Sequence, residues 1–382
     1  MQQLLSQVRE WEQRRSQAVA CYRQGQFREY LALSEYNLQI ARRLQDPVKE
    51  AVALYEVGLV HTRLWQPQQA LKFFAEALEL QKAVGDRVGV ANTLSTIGSV
   101  YSQQGDPKQG LEFLNQALPI FREVGERRIE AATLNSIGLA YLRLGQPKRA
   151  LLLCHQLLAI RQELGDRPGE ATTLNNLGLI HGELGQLEQA LEYFNQALPI
   201  QQSLGDRIGE ATALNNIGSI YSDLGQPKRA LLLYHQVLLL RRALDDRIGE
   251  AATLNNMGFA YRDLGEWEQA LEYYNQALAV RRQLCDRTGE AITLNNIGFV
   301  HRDLKQPKPA LKFFNQALLL RRQLGDRIGE ASTLVNIGAV WADLHQTEWA
   351  SSFYLEARKL SDQTDNPSLG EWIQSLIDAL SD

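Results

Sequence analysis

Cysteine and methionine are scarce: three Cys and two Met stand in 382 residues. The cysteines are scattered, Cys21 in the first and most degenerate stretch, Cys154 at an apolar position and Cys285 in a turn, so no disulfide framework or metal knuckle is spelled out and a reducing compartment is the simplest setting. No stretch approaches the roughly 18 apolar residues that a membrane span needs. Charge of one sign is not in excess either. The 40 Lys and Arg against 44 Asp and Glu leave −4, which supplies no basic field for nucleic acid. The opening Met1-Gln2-Gln3-Leu4-Leu5 lacks the charged and then apolar segments of a secretory signal. These absences predict a cytoplasmic chain with no membrane or nucleic-acid partner.

What the chain has is a repeat of 40 residues that runs without insertion or deletion from about residue 7 to residue 366, room for nine units. Gly165-Asp166-Arg167, Gly205-Asp206-Arg207 and Gly325-Asp326-Arg327 share one phase, and Gly138, Gly178, Gly218, Gly258, Gly298 and Gly338 share another. A fixed period in this range marks a solenoid, in which each unit buries its apolar face only by stacking on its neighbours. In residues 207–246, Ala211, Leu214, Ile217, Gly218 and Tyr221 recur at helical spacing, with Asp206 placed as N-cap and Arg207 spaced to pair with Glu210 on a solvated face. Leu224-Gly225-Gln226-Pro227 stops the first helix and starts a second, in which Ala230, Leu231, Tyr234, Val237 and Leu238 form the apolar stripe. Each unit is therefore a hairpin of two helices of about 17 residues. The recurrent glycine of the first helix predicts close helix contact, and Pro119 and Pro199 predict kinks in their second helices.

Leu254, Met257, Gly258, Tyr261, Ala270, Tyr274 and Ala277 carry a pattern that resembles the tetratricopeptide repeat, lengthened from the usual period of about 34 residues. The Gly-Asp-Arg links resemble Pins/LGN-type adaptors and bacterial, especially cyanobacterial, multirepeat proteins, and Thr-Leu-Asn-Asn resembles kinesin light chain repeats. The resemblance implies an all-α fold, a right-handed α-solenoid or superhelix of antiparallel helix pairs. Residues 1–46 then form a degenerate N-terminal capping repeat, 47–366 eight units, and 367–382 a C-terminal capping helix, in which Leu369, Trp372, Ile373, Leu376, Ile377 and Leu380 make one stripe.

No catalytic or metal-ligating constellation is legible, and no cofactor motif occurs. His61, His181 and His301 stand where Tyr101, Tyr141, Tyr221 and Tyr261 stand in other units, which reads as packing. By resemblance, the first helices line a concave groove. The first asparagines of the pairs, Asn135, Asn175, Asn215, Asn255 and Asn295, then form a row suited to holding the backbone of an extended peptide, interrupted at Tyr55, Ser95 and Val335. The second asparagines, Asn176, Asn216, Asn256, Asn296 and Asn336, are expected to be structural. Leu139, Leu142 and Leu179, and then Phe259 and Phe299, are candidate anchors for hydrophobic ligand residues. Arg262 and Arg302 are placed to favour an acidic one, although a ladder of salt bridges with the series Glu183, Asp223, Asp263, Asp303 and Asp343 explains them equally well. The expected function is a non-enzymatic scaffold for a partner protein or peptide. The alternative is a sensor or regulatory array of a bacterial signalling system that works with a separate protease or nucleotide-hydrolysing effector.

Overall fold

The computed structural model describes residues 2–364 and 367–380, and among these it contains nineteen α-helices and no strand. Residues 1, 365–366 and 381–382, at the expected ends of the first unit, the last repeat and the cap, lie outside the described residues. The helices gather into two compact units divided between Gly185 and Gln186. The first unit holds α1 (Gln2–Arg23), α2 (Phe27–Leu44), α3 (Pro47–Arg63), α4 (Pro67–Ala83), α5 (Arg87–Gln103), α6 (Pro107–Val124), α7 (Arg127–Arg143), α8 (Pro147–Glu163) and α9 (Arg167–Glu183). The second holds α10 (Leu187–Leu204), α11 (Arg207–Asp223), α12 (Pro227–Ala243), α13 (Arg247–Asp263), α14 (Trp267–Gln283), α15 (Arg287–Asp303), α16 (Pro307–Leu324), α17 (Arg327–Asp343), α18 (Thr347–Ser361) and α19 (Pro367–Asp378). Within each unit every helix packs on the one before and the one after it, so the fold is an all-α solenoid of stacked helix pairs.

Turns of two or three residues join the helices from α1 to α18, and one residue of each turn takes a left-handed conformation, as at Gly225 with φ 69°. At the start of the first helices Asp206 Oδ1 accepts from the Gly209 N–H at 2.9 Å. Asp86, Asp166, Asp246, Asp286 and Asp326 do the same three residues ahead, each cap worth about 1 kcal/mol. Glu126 makes no such bond.

The glycine that donates to this cap leaves no room for a side chain, because a Cβ would meet the capping aspartate and a neighbour from the preceding helix. Arg161, Arg281 and Arg321 turn back to donate Nη1 to the carbonyls of Gly169, Gly289 and Gly329. A Cβ on Gly289 would lie 2.6 Å from Arg281 Nη1. The chain supplies its own control: where Phe121 replaces the arginine, Glu126 replaces the aspartate and Ile129 the glycine.

Glu210 is not on a solvated face. It is 6% exposed, its Oε2 taking Arg207 Nη1 at 2.6 Å and its Oε1 taking Gln202 Nε2 at 3.0 Å, because the end of α10 folds over it. Glu130, Glu170, Glu250 and Glu290 are buried in the same way.

The recurrent helical glycines seat aromatic rings more than they bring backbones together. A Cβ would meet the ring of Tyr234 at 2.6 Å from Gly218, of Tyr274 at 2.7 Å from Gly258 and of Phe314 at 2.6 Å from Gly298. At Gly98, where Gly110 stands opposite, a backbone carbonyl comes as close, at 2.7 Å. Pro119 and Pro199 are exposed, and α6 and α10 run through them as uninterrupted helices. At the C-terminal end Ile373 is fully buried, and α19 lays Leu369, Leu376 and Ile377, with Leu380 just beyond it, on a core that includes Phe314, Leu334, Ile337 and Tyr354. Trp372 is 48% exposed.

Candidate functional site

The odd-numbered helices approach one another directly, α5 with α7 in the first unit and α11 with α13 and α13 with α15 in the second, so each unit has a wall built from first helices. The asparagine phases lie along these walls and are joined by hydrogen bonds. Asn255 Oδ1 accepts from Asn296 Nδ2 at 3.0 Å, Asn295 Oδ1 from Asn336 Nδ2 at 2.9 Å, and Asn215 Oδ1 from Asn256 Nδ2 at a looser 3.4 Å. Asn256, Asn296 and Asn336 therefore each donate to the first asparagine of the preceding hairpin, an offset of 41 residues. The same offset links Tyr55 Oη to Thr96 Oγ1 at 3.1 Å and Arg15 Nε to Glu56 Oε1 at 2.8 Å in the first unit.

The five first asparagines are thus not equivalent. Asn215, Asn255 and Asn295 have their carbonyl oxygens committed to rungs, and Asn295 is only 8% exposed. Asn135 and Asn175 are half-buried, and Asn175 Oδ1 has no partner.

Among the apolar candidates, Leu139, Leu179 and Phe259 are exposed, at 44%, 49% and 40%. Leu142 is half-buried. Phe299 is half-buried: its ring meets Phe314 edge-on at 5.5 Å, and the Arg262 guanidinium lies 5.2 Å from its centroid. Arg262 also holds Asp303 at 2.7 Å, and Arg302 grips Asp343 with Nε at 2.6 Å and Nη2 at 3.2 Å, so both arginines belong to rungs between hairpins. An acidic ligand residue would have to compete with these aspartates. Arg302 holds the Asp343 carboxyl below its ordinary range, whereas burial pushes Asp223 and Asp263 up, the charge of Asp223 adding to the effect on Asp263.

Two hollows in the first unit have no counterpart in the sequence reading. One, of about 610 Å³, is lined by Tyr22, Phe27, Arg63, Trp65 and the hydroxyls of Ser95 and Ser99. The other, of about 400 Å³, lies beside it and shares Tyr22 and Leu59. The overlooked signal is Trp65. It occupies the turn phase of Gly105, Gly145 and Gly225, with φ 58° and 89% exposure, where a bulky residue is strained.

The family profile described as "Tetratricopeptide repeat" matches residues 49–123, 89–153, 128–203, 209–283 and 289–363. The chain belongs to the tetratricopeptide repeat family. No curated protein matches it. Among solved structures, the apo form of the quorum sensor NprR from B. thuringiensis is similar over 94% of this chain and 99% of that one, at 19% identity and a TM-score of 0.67. Aspartyl phosphate phosphatase F from Bacillus subtilis covers 96% and 95%, at 13% identity and 0.61. A signal transduction ATPase with numerous domains, carrying a tetratricopeptide repeat sensor, from Pyrococcus horikoshii is similar over 91% of this chain and 55% of that one, at 15% identity and 0.58. These likenesses are likenesses of fold.

Within the tetratricopeptide hairpins two of the histidines sit in ring stacks. His61 lies face to face with Phe73 and His301 with Phe313, both at 5.3 Å, as Tyr261 does with Tyr273 at 5.1 Å. Cys154 is buried, and burial pushes its thiol up to about 11, far from the range of a reactive thiolate. Among the described residues no three His, Cys, Asp or Glu side chains gather as metal ligands, and no helix is long and apolar enough to cross a membrane.

Proposed function

We propose that this tetratricopeptide protein is a non-enzymatic cytoplasmic scaffold that binds an extended peptide segment of a partner along its odd-helix walls. Residues 1–46 act as a degenerate capping repeat, 47–366 as eight units and 367–382 as the C-terminal cap. The observation that carries the proposal is the exposure of Leu139, Leu179 and Phe259 at one phase, beside half-buried side-chain amides, in helices whose other large apolar residues are mostly buried. Hairpins stacked about 10 Å apart and a strand rise near 3.3 Å match about three ligand residues to each unit. The amides then bond the ligand backbone while the exposed side chains seat its hydrophobic residues. With their carbonyls committed, Asn215 and Asn255 meet a ligand mainly as donors.

A displayed random-peptide library provides the test. Selection on the wild-type chain should enrich peptides with spaced hydrophobic residues, and Leu139→Asp/Leu179→Asp or Phe259→Asp should weaken the selected peptides at least tenfold with helicity unchanged. A library that returns no binders, or binders indifferent to all three substitutions, would refute the proposal. A second reading, a sensor array working with a separate effector, is favoured by the fold likeness to the quorum sensor NprR and to the signal transduction ATPase with a tetratricopeptide repeat sensor. It predicts that peptide binding changes the hydrogen exchange of helices distant from the bound segment, whereas a plain scaffold is protected only where the peptide lies.

A further inference from the structure

The smaller hollow of the first unit, about 400 Å³, is walled by α1, α2, α3, the end of α4 and the start of α5. Three charged residues line it: Arg15, Glu56 and Asp86, two carboxylates against one guanidinium. Glu56 is 5% exposed. Its Oε1 accepts from Arg15 at 2.8 Å, and its Oε2 is buried without any hydrogen-bond partner. Asp86 has Oδ1 engaged by the Gly89 N–H at 2.8 Å. Around these groups stand the rings of Tyr22, Tyr30 and Tyr55.

The position of Glu56 is held in the other repeats by neutral groups: Thr96, Ser136, Asn176, Asn216, Asn256, Asn296 and Asn336. Those hydroxyls and amides suffice where rungs form, so joining hairpins does not require a charge here. The carboxylate adds an acceptor oxygen that its rung does not use. A buried carboxylate with one oxygen unsatisfied, in a hollow of net negative charge and aromatic lining, is complementary to a donor of positive charge carried on an apolar stem.

We propose that this hollow binds an organic cation, an ammonium or guanidinium group whose N–H donors complete Glu56 Oε2 while its alkyl stem lies against Tyr22 and Tyr55. The site uses none of the asparagine row, so it stands or falls separately from the peptide-binding proposal.

Isothermal titration of the full chain with N-acetyl-lysine amide, N-acetyl-arginine amide and spermidine tests it, with N-acetyl-norleucine amide as the uncharged control. At least one cation should bind ten times more tightly than the control. Glu56→Gln should weaken that binding at least tenfold. Asp86→Asn, which retains a capping side chain, should weaken it severalfold. Arg15→Gln should strengthen it, because a competing charge is lost and Oε1 is freed. Asp86→Asn and Arg15→Gln keep the test open if Glu56→Gln fails to fold. Failure of all three cations to bind, or binding that Asp86→Asn and Arg15→Gln leave unchanged, overturns the proposal and leaves the Arg15–Glu56 pair as a structural rung alone. Tighter binding of spermidine than of the acetylated peptide Ala-Lys-Ala-Ala amide assigns the site to free amines, and the reverse order assigns it to a side chain of a polypeptide.

Discussion

Gly258 and Gly138 occupy equivalent positions, yet a methyl group would be received differently at each. At Gly258 it would meet the buried ring of Tyr274 at 2.7 Å, whereas at Gly138 the nearest atom is the Cys154 sulfur at 3.9 Å. Gly258→Ala is expected to cost about 1–3 kcal/mol through overpacking, and Gly138→Ala to gain up to about 1 kcal/mol from helix propensity. The midpoints of denaturant unfolding should move in opposite directions, and movement in the same direction would contradict the ring-seat account. The glycine phase was legible in the sequence and its cause was not, since the spacing gives no hint that the facing atom is a side-chain ring. For Arg262 the ladder of salt bridges was legible, and the structure supplies the rung. The arginine's neighbour in sequence is Asp263, but its bonded partner is Asp303, on the next first helix.

At the hand-over between helices, residues act in sets that a single-position reading cannot isolate. Arg281, Asp286 and Gly289 form one such set, and Phe121, Glu126 and Ile129 are its natural alternative within the same chain. Gly289→Ile alone should cost on the order of 2–3 kcal/mol, because the new side chain collides with both the cap and the arginine. Adding Arg281→Phe and Asp286→Glu should restore at least about 1 kcal/mol, a coupling of the size expected for residues in contact. A triple variant less stable than the single one, by thermal or denaturant unfolding, would refute this. Helix limits, aspartate caps and left-handed turns followed directly from local chemistry. The burial of Glu210 did not, because the covering residue, Gln202, belongs to the preceding helix. At the wall, the amide phases were visible in the sequence, but the hollows of the first unit were not, since they arise where Trp65 and Glu56 break the repeat.

At the scale of the whole molecule, hairpins that pack on their neighbours within each unit leave weak points at the ends of that unit. Ile373 is fully buried under α19 against the last hairpin, and Ile373→Asp should detach that helix. Hydrogen exchange of α17 and α18 should then accelerate by an order of magnitude or more while that of α13 stays unchanged. Equal acceleration of α13 would mean that the second unit unfolds as one cooperative body.

Rungs that repeatedly join a wall residue to one 41 positions later also make length a free variable. If the 40 residues from 247 to 286 were excised, Asn215 would meet Asn296 in place of Asn256 and find the same amide waiting. The stretch from Asn215 to Asn336 is therefore modular stock that genetic slippage can shorten or extend without new chemistry. The Arg15–Glu56 and Tyr55–Thr96 rungs have no such interchangeable neighbours, so between residues 15 and 96 a deletion of 40 residues would leave a rung without its partner.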